Sequence, residues 1–81
     1  MLLERQTRLM DRTLVKSSHM KSMGYSKDDQ ILEVEFKNGD VYQYLDVPLT
    51  VFAELTRSTS KGKFMHRHIR GKYQYKRVDH E

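Results

Sequence analysis

Eighty-one residues with 15 Lys/Arg, 11 Asp/Glu and four His, a net charge of +4, bound this chain to one small domain. With 37% apolar and 32% charged residues, the core must be compact; at this size a core supplies on the order of 3–5 kcal/mol, so self-association would be a natural supplement. The absence of cysteine excludes disulfides and thiolate zinc sites and fits a reducing cytoplasm, and no run approaches the roughly 20 apolar residues of a membrane span.

At the N-terminus, Leu2, Leu3, Leu9 and Met10 recur in pairs seven apart. That spacing permits a short helix, and a mobile arm is equally consistent with it. The segment lacks the continuous apolar stretch of a secretory signal.

A loose alternation predicts a first strand over 19–25, with Met20 and Ser22 opposing Met23, and Gly24 marks a bend. Ser26, Lys27, Asp28 and Asp29 are turn chemistry. A clean alternation over 30–36 puts Leu32, Val34 and Phe36 on one face and Glu33 and Glu35 on the other, as in a half-buried antiparallel strand with a solvated acidic side. Lys37, Asn38 and Gly39 signal a hairpin into a returning strand over 41–46. A two-residue turn would turn Tyr42 and Tyr44 toward the acidic face. A three-residue turn with a bulge at Gly39 pairs Leu32 with Tyr44 and Val34 with Tyr42, gathering the bulky groups on one face. That second register is expected, with both tyrosines mostly buried.

Pro48 suits the first position of a helix over 48–57, whose apolar stripe is Val51, Phe52 and Leu55. Ser58, Thr59 and Ser60 break it and offer an N-cap for a second helix over 60–69. Phe64, Met65, His68 and Ile69 form its apolar stripe, and Gly71 its C-terminal cap. The stretch from 72 to 78 reads as a strand or an extended tail. The expected architecture is α+β: an antiparallel sheet of about three strands packed by two short helices.

These residues resemble a known family. Ser17-Ser18, Gly24-Tyr25, the run from Leu32 to Phe36, Gly39, Tyr42-Gln43-Tyr44, Val47-Pro48, Gly62, Phe64, Ile69-Arg70 and Tyr73 together look like the KTSC domain. That domain is found at the C-terminus of certain lysyl-tRNA synthetases and alone in small bacterial and phage proteins. The resemblance covers residues 12–78, which sets 1–11 apart as an N-terminal extension and 79–81 as a tail, and it implies a compact α+β domain, with RNA as its proposed partner and no catalytic residues to carry over.

Charge is unevenly placed. Residues 57–78 hold eight Lys/Arg and no acid, whereas residues 1–56 hold seven Lys/Arg against nine Asp/Glu. On a helix starting near Ser60, Lys63, Arg67 and Arg70 fall at i, i+4 and i+7, one basic face that Arg57, Lys61 and Lys72 would widen. Such density neutralises phosphates, and Ser60 and Gly62 would add backbone donors at the helix start. Lys61, Lys63, Arg67, Arg70, Lys72 and Tyr73 are the expected anion site, with Tyr75 as a further stacking ring and Lys76 and Arg77 as looser additions.

Other constellations fall short. His66 and His68 point about 200° apart on a helix and cannot share one ion, so no metal or other cofactor is expected. Glu33 and Glu35 read as the wet side of a sheet rather than an acid/base pair, and the serines and threonines around 56–60 have no nearby base in a recognisable arrangement. The expectation is a non-enzymatic, cytoplasmic module that binds nucleic acid, RNA first. Alternatives are a module docking on an acidic host protein through Leu2, Leu3, Leu9 and Met10, or an oligomer capturing a small anionic nucleotide between subunits.

Overall fold

The computed structural model describes residues 11–78; the N-terminal leucines and Met10 lie outside them. Five strands, β1 (Thr13–Leu14), β2 (Met20–Ser26), β3 (Ile31–Phe36), β4 (Val41–Tyr44) and β5 (Tyr75–Val78), form one antiparallel sheet in the order β1-β2-β3-β4-β5. Between β4 and β5 run helix α1 (Leu49–Arg57), the short helix α2 (Lys61–Phe64) and a π-helical turn (Met65–Ile69). The α+β class is as expected, but the sheet has five strands rather than about three. The added strands lie at its two edges. β1 has two residues against Met23 and Ser22 of β2, and β5, whose own sequence is Tyr-Lys-Arg-Val, is recruited by β4.

The bulged hairpin is the register formed. Leu32 pairs with Tyr44 and Val34 with Tyr42. The Phe36 N–H donates to Asp40 O at 2.9 Å and the Gly39 N–H to Phe36 O at 2.9 Å, with Gly39 at φ +99°. Only glycine takes that conformation without strain. Tyr44 is 2% exposed, as expected of core; Tyr42 is only half-buried.

β2 departs from simple alternation. A bulge between Met20 and Ser22 inserts Lys21, so Met20 and Met23, three apart, both enter the core, and Ser22 turns to the opposite face. Gly24 is no bend; it sits inside the strand, where a Cβ would meet Asp11 O at 2.4 Å. A glycine there lets the chain entering β1 cross the sheet at contact distance.

Pro48 occupies the position before α1 rather than its first turn; its carbonyl accepts from Val51 N–H (3.0 Å) and Phe52 N–H (3.2 Å). Phe52 stacks on Tyr25 with centroids 4.7 Å apart, and the Tyr25 hydroxyl donates to Val47 O at 2.5 Å, fastening α1 to β2. Leu55, Met65 and Ile69 close the core over Met20, Leu32, Val34, Tyr44 and Val47. No helix among the described residues is long and apolar enough to cross a membrane.

The acidic side of β3 is not solvated. Glu33 is fully buried and Glu35 half-buried, because Arg12 reaches across from the segment before β1. Its guanidinium bonds Glu33 Oε2 through Nη1, stands 3.5 Å from Glu35 Oε1 through Nη2, and donates from Nε to Ser22 Oγ at 2.9 Å. Ser22 Oγ donates to Glu35 Oε1 at 2.9 Å, and Gln43 Nε2 to Glu33 Oε1 at 2.7 Å. Two carboxylates can share a face here because each has a donor aimed at it.

Candidate anion-binding groove

Once the core stripe of α2 and the π-helical turn is buried, the other flank of this segment faces the chain leading into β2. In that approach the Ser17 hydroxyl accepts from the His19 and Met20 N–H groups, both at 3.3 Å, which shapes the loop. Gly62 of α2 lies opposite; a Cβ there would stand 3.8 Å from His19 Nδ1 and 4.0 Å from Ser17 Oγ. Between loop and helix runs a groove of about 760 Å³.

Its charged lining has one sign. Lys16 comes from the loop, Lys61 and Lys63 from α2, Arg67 from the π-helical turn and Arg70 from its end, with His19 and His66 between them. No acidic side chain lines it among the described residues. Lys61 Nζ donates to Ser58 O at 2.9 Å, whereas Lys63, Arg67 and Arg70 are exposed with no carboxylate within ion-pair distance among the described residues. Ser60 sits at the N-cap without a side-chain bond to α2, and α2 is a single turn, so the groove's positive character rests on side chains.

The π-helical turn arranges these side chains. Arg70 N–H donates to Met65 O at 2.8 Å, an i to i+5 bond. The wider turn keeps Ile69 over Met65 in the core but swings His68 out of the apolar stripe to which simple helical spacing assigns it. His68 is exposed and rests on the Phe64 ring, 4.7 Å between centroids. Such turns are rare and occur frequently at functional sites.

Of the six residues expected at the site, Lys61, Lys63, Arg67 and Arg70 come together in the groove; Lys72 and Tyr73 do not. Lys72 is exposed beyond the turn, and Tyr73 is half-buried against the core. Lys76 is paired with Gln43 in the sheet, so the alternation of β5 turns it to the face away from the helices. Arg77 is held by Asp40, Nη2 to Oδ1 at 3.1 Å. Tyr75 is 57% exposed and stacks on Tyr42 at 5.2 Å. Sequence reasoning missed Lys16 and His19, which lie in the acid-richer part of the chain. The signal was the Ser17-Ser18 pair beside them, read only as part of a resemblance.

The KTSC domain profile matches residues 16–75, from the loop at the groove's rim to the start of β5. The chain belongs to the KTSC domain family. A KTSC domain protein from Yersinia pestis has the same fold in its crystal structure, with a TM-score of 0.81 and 36% identity, covering 85% of this chain and 97% of that one. A protein of Stutzerimonas stutzeri is 38% identical over 71 residues, 86% of this chain and 100% of its own length. A lysine–tRNA ligase of Trichormus variabilis is 41% identical over 63 residues, which are 78% of this chain and 11% of the ligase. This KTSC domain thus spans about a tenth of the ligases it matches.

Proposed function

We propose that this KTSC domain is a non-catalytic module that binds RNA through the phosphate backbone in the groove between the Lys16–His19 loop and α2. The observation that carries the reading is the acid-free lining of five Lys/Arg and two His around about 760 Å³. Exposed cations without partners are what a phosphate chain needs, since each contact releases condensed counterions. Arg67 and Arg70 can each grip a phosphate with two N–H groups where lysine offers a point charge. The lysine–tRNA ligases among its relatives carry the matching region beside an enzyme named for a tRNA, which favours RNA over DNA.

Filter binding of tRNA and of single-stranded RNA across a salt series tests this. The expected dissociation constant is about 10⁻⁶–10⁻⁴ M near physiological salt, and log K falls with log salt at roughly −0.7 per phosphate contacted by a single strand. Arg67→Glu with Arg70→Glu lowers affinity at least about tenfold and flattens the salt slope, with the unfolding midpoint little moved. No binding at low salt, or binding indifferent to both salt and these substitutions, overturns the proposal.

A further inference from the structure

Beside the groove lies a smaller hollow of about 300 Å³, and the two share Phe36 and Arg70 in their walls. The two adjoin, the groove lined by cations and the hollow by the rings of Phe36, Tyr42 and Tyr44. We propose that the hollow seats a single unpaired nucleobase of the strand whose phosphates occupy the groove, an inference that rests on the RNA reading.

Three observations carry it. The bulged hairpin puts Phe36, Tyr42 and Tyr44 on the helix-facing side of the sheet, yet the helices leave Phe36 and Tyr42 half-buried at the hollow. Tyr42 is already held in place: Tyr75 stacks on it at 5.2 Å and 8°, and Phe36 meets it edge-on at 5.6 Å and 82°. A ring fixed by its neighbours gives a base an apolar surface with little ordering cost. The charges also change character. This rim carries a carboxylate, Asp40, bonded to Arg77, where the groove carries none, so a phosphate is less favoured here than in the groove. A neutral base next to a phosphate on Arg70 fits both cavities. The size agrees, because ligand sites run from about 300 to 1,000 Å³ and this hollow is at the lower limit, with room for one base and none for a duplex.

Fluorescence anisotropy separates this inference from the one beneath it. The probes are a short single-stranded RNA, the same backbone with abasic sugars, and inorganic polyphosphate, all at one salt concentration. The base-bearing strand should bind roughly five- to a hundredfold tighter than the abasic strand. Tyr42→Leu should erase that difference while leaving the abasic strand's affinity unchanged, and Tyr75→Leu, which removes the ring that holds Tyr42 and lines neither cavity, should shrink it in the same way if Tyr42→Leu does not fold. Equal affinities of the base-bearing and abasic strands overturn the base seat and leave the phosphate groove standing. If none of the three probes binds, the groove reading fails and the base seat fails with it.

Discussion

Charge lies on both sides of the sheet and is handled in opposite ways. On the face away from the helices, Arg12, Glu33 and Glu35 are wholly or largely buried and joined with Ser22 and Gln43, each carboxylate met by at least one donor. On the helix side, Lys63, Arg67 and Arg70 line an open groove, exposed and without carboxylate partners among the described residues. Buried charges are tolerated only when paired, because removing one partner leaves the other uncompensated. Exposed charges of one sign add little to stability and repel one another. The contrast therefore sorts the two sets: the first holds the chain entering β1 onto the sheet, and the second is available to a ligand.

The largest expected effect lies on the buried side. Glu33→Ala leaves the Arg12 guanidinium with its bond to Ser22 Oγ and, as its carboxylate partner, only the longer contact to Glu35, and it takes from Gln43 Nε2 its acceptor. A loss of about 3 kcal/mol in urea unfolding is expected, the low end for a broken buried pair. A loss below about 1 kcal/mol, the ordinary worth of a surface ion pair, would erase the distinction between the two faces.

Next comes Gly24→Ala, on the same face. Its Cβ would lie 2.4 Å from Asp11 O and 3.2 Å from Arg12 Cγ, so the segment carrying Arg12 must move. The expected cost is about 1–2 kcal/mol. Because both changes act through Arg12, the double variant should cost less than the sum of the two single losses. Strict additivity would mean that Gly24 and Glu33 do not position the same side chain.

Legibility in the sequence followed how local each decision is. The β3–β4 register was readable because the competing turns lie within three residues and place Tyr42 and Tyr44 on opposite faces, so hydrophobic consistency decides. β1 was not, and β5 was legible only as one of two options, a strand or an extended tail over 72–78, since two residues, or Tyr-Lys-Arg-Val, become strands only through a partner edge. The burial of Glu33 depends on Arg12, 21 residues earlier in the chain, and no alternation pattern carries that information. His68 was placed in the core by a 3.6-residue period that the π-helical turn breaks. The groove was half legible: the basic face of the second helical segment was evident, while the opposing wall with Lys16 and His19 appears only once the loop before β2 folds back on α2.

The smallest effect concerns the helix side and shows itself only in alkali. Burial pushes the Tyr44 hydroxyl above its ordinary pKa of 10.0; the Arg70 charge pulls it back in part, and Tyr42 and Tyr75 push it further up. Tyr25 is raised by burial as well. For both groups the folded protein holds the proton more tightly than the unfolded chain. Their contribution is therefore fully present below pH 10 and is lost as pH rises through the folded value, while neutral and acidic stability is untouched. Tyr44→Phe should leave the urea midpoint at pH 7 nearly unchanged and make its fall above pH 10 shallower, and adding Tyr25→Phe should make that fall shallower still. An anion bound at Arg70 screens the charge that favours the phenolate, so saturating phosphate should raise the alkaline midpoint of the Tyr44 titration, followed by ultraviolet absorbance. If that midpoint ignores phosphate, Arg70 is not where the anion sits, and the availability of the helix-side charges must be reassigned to Lys63 and Arg67.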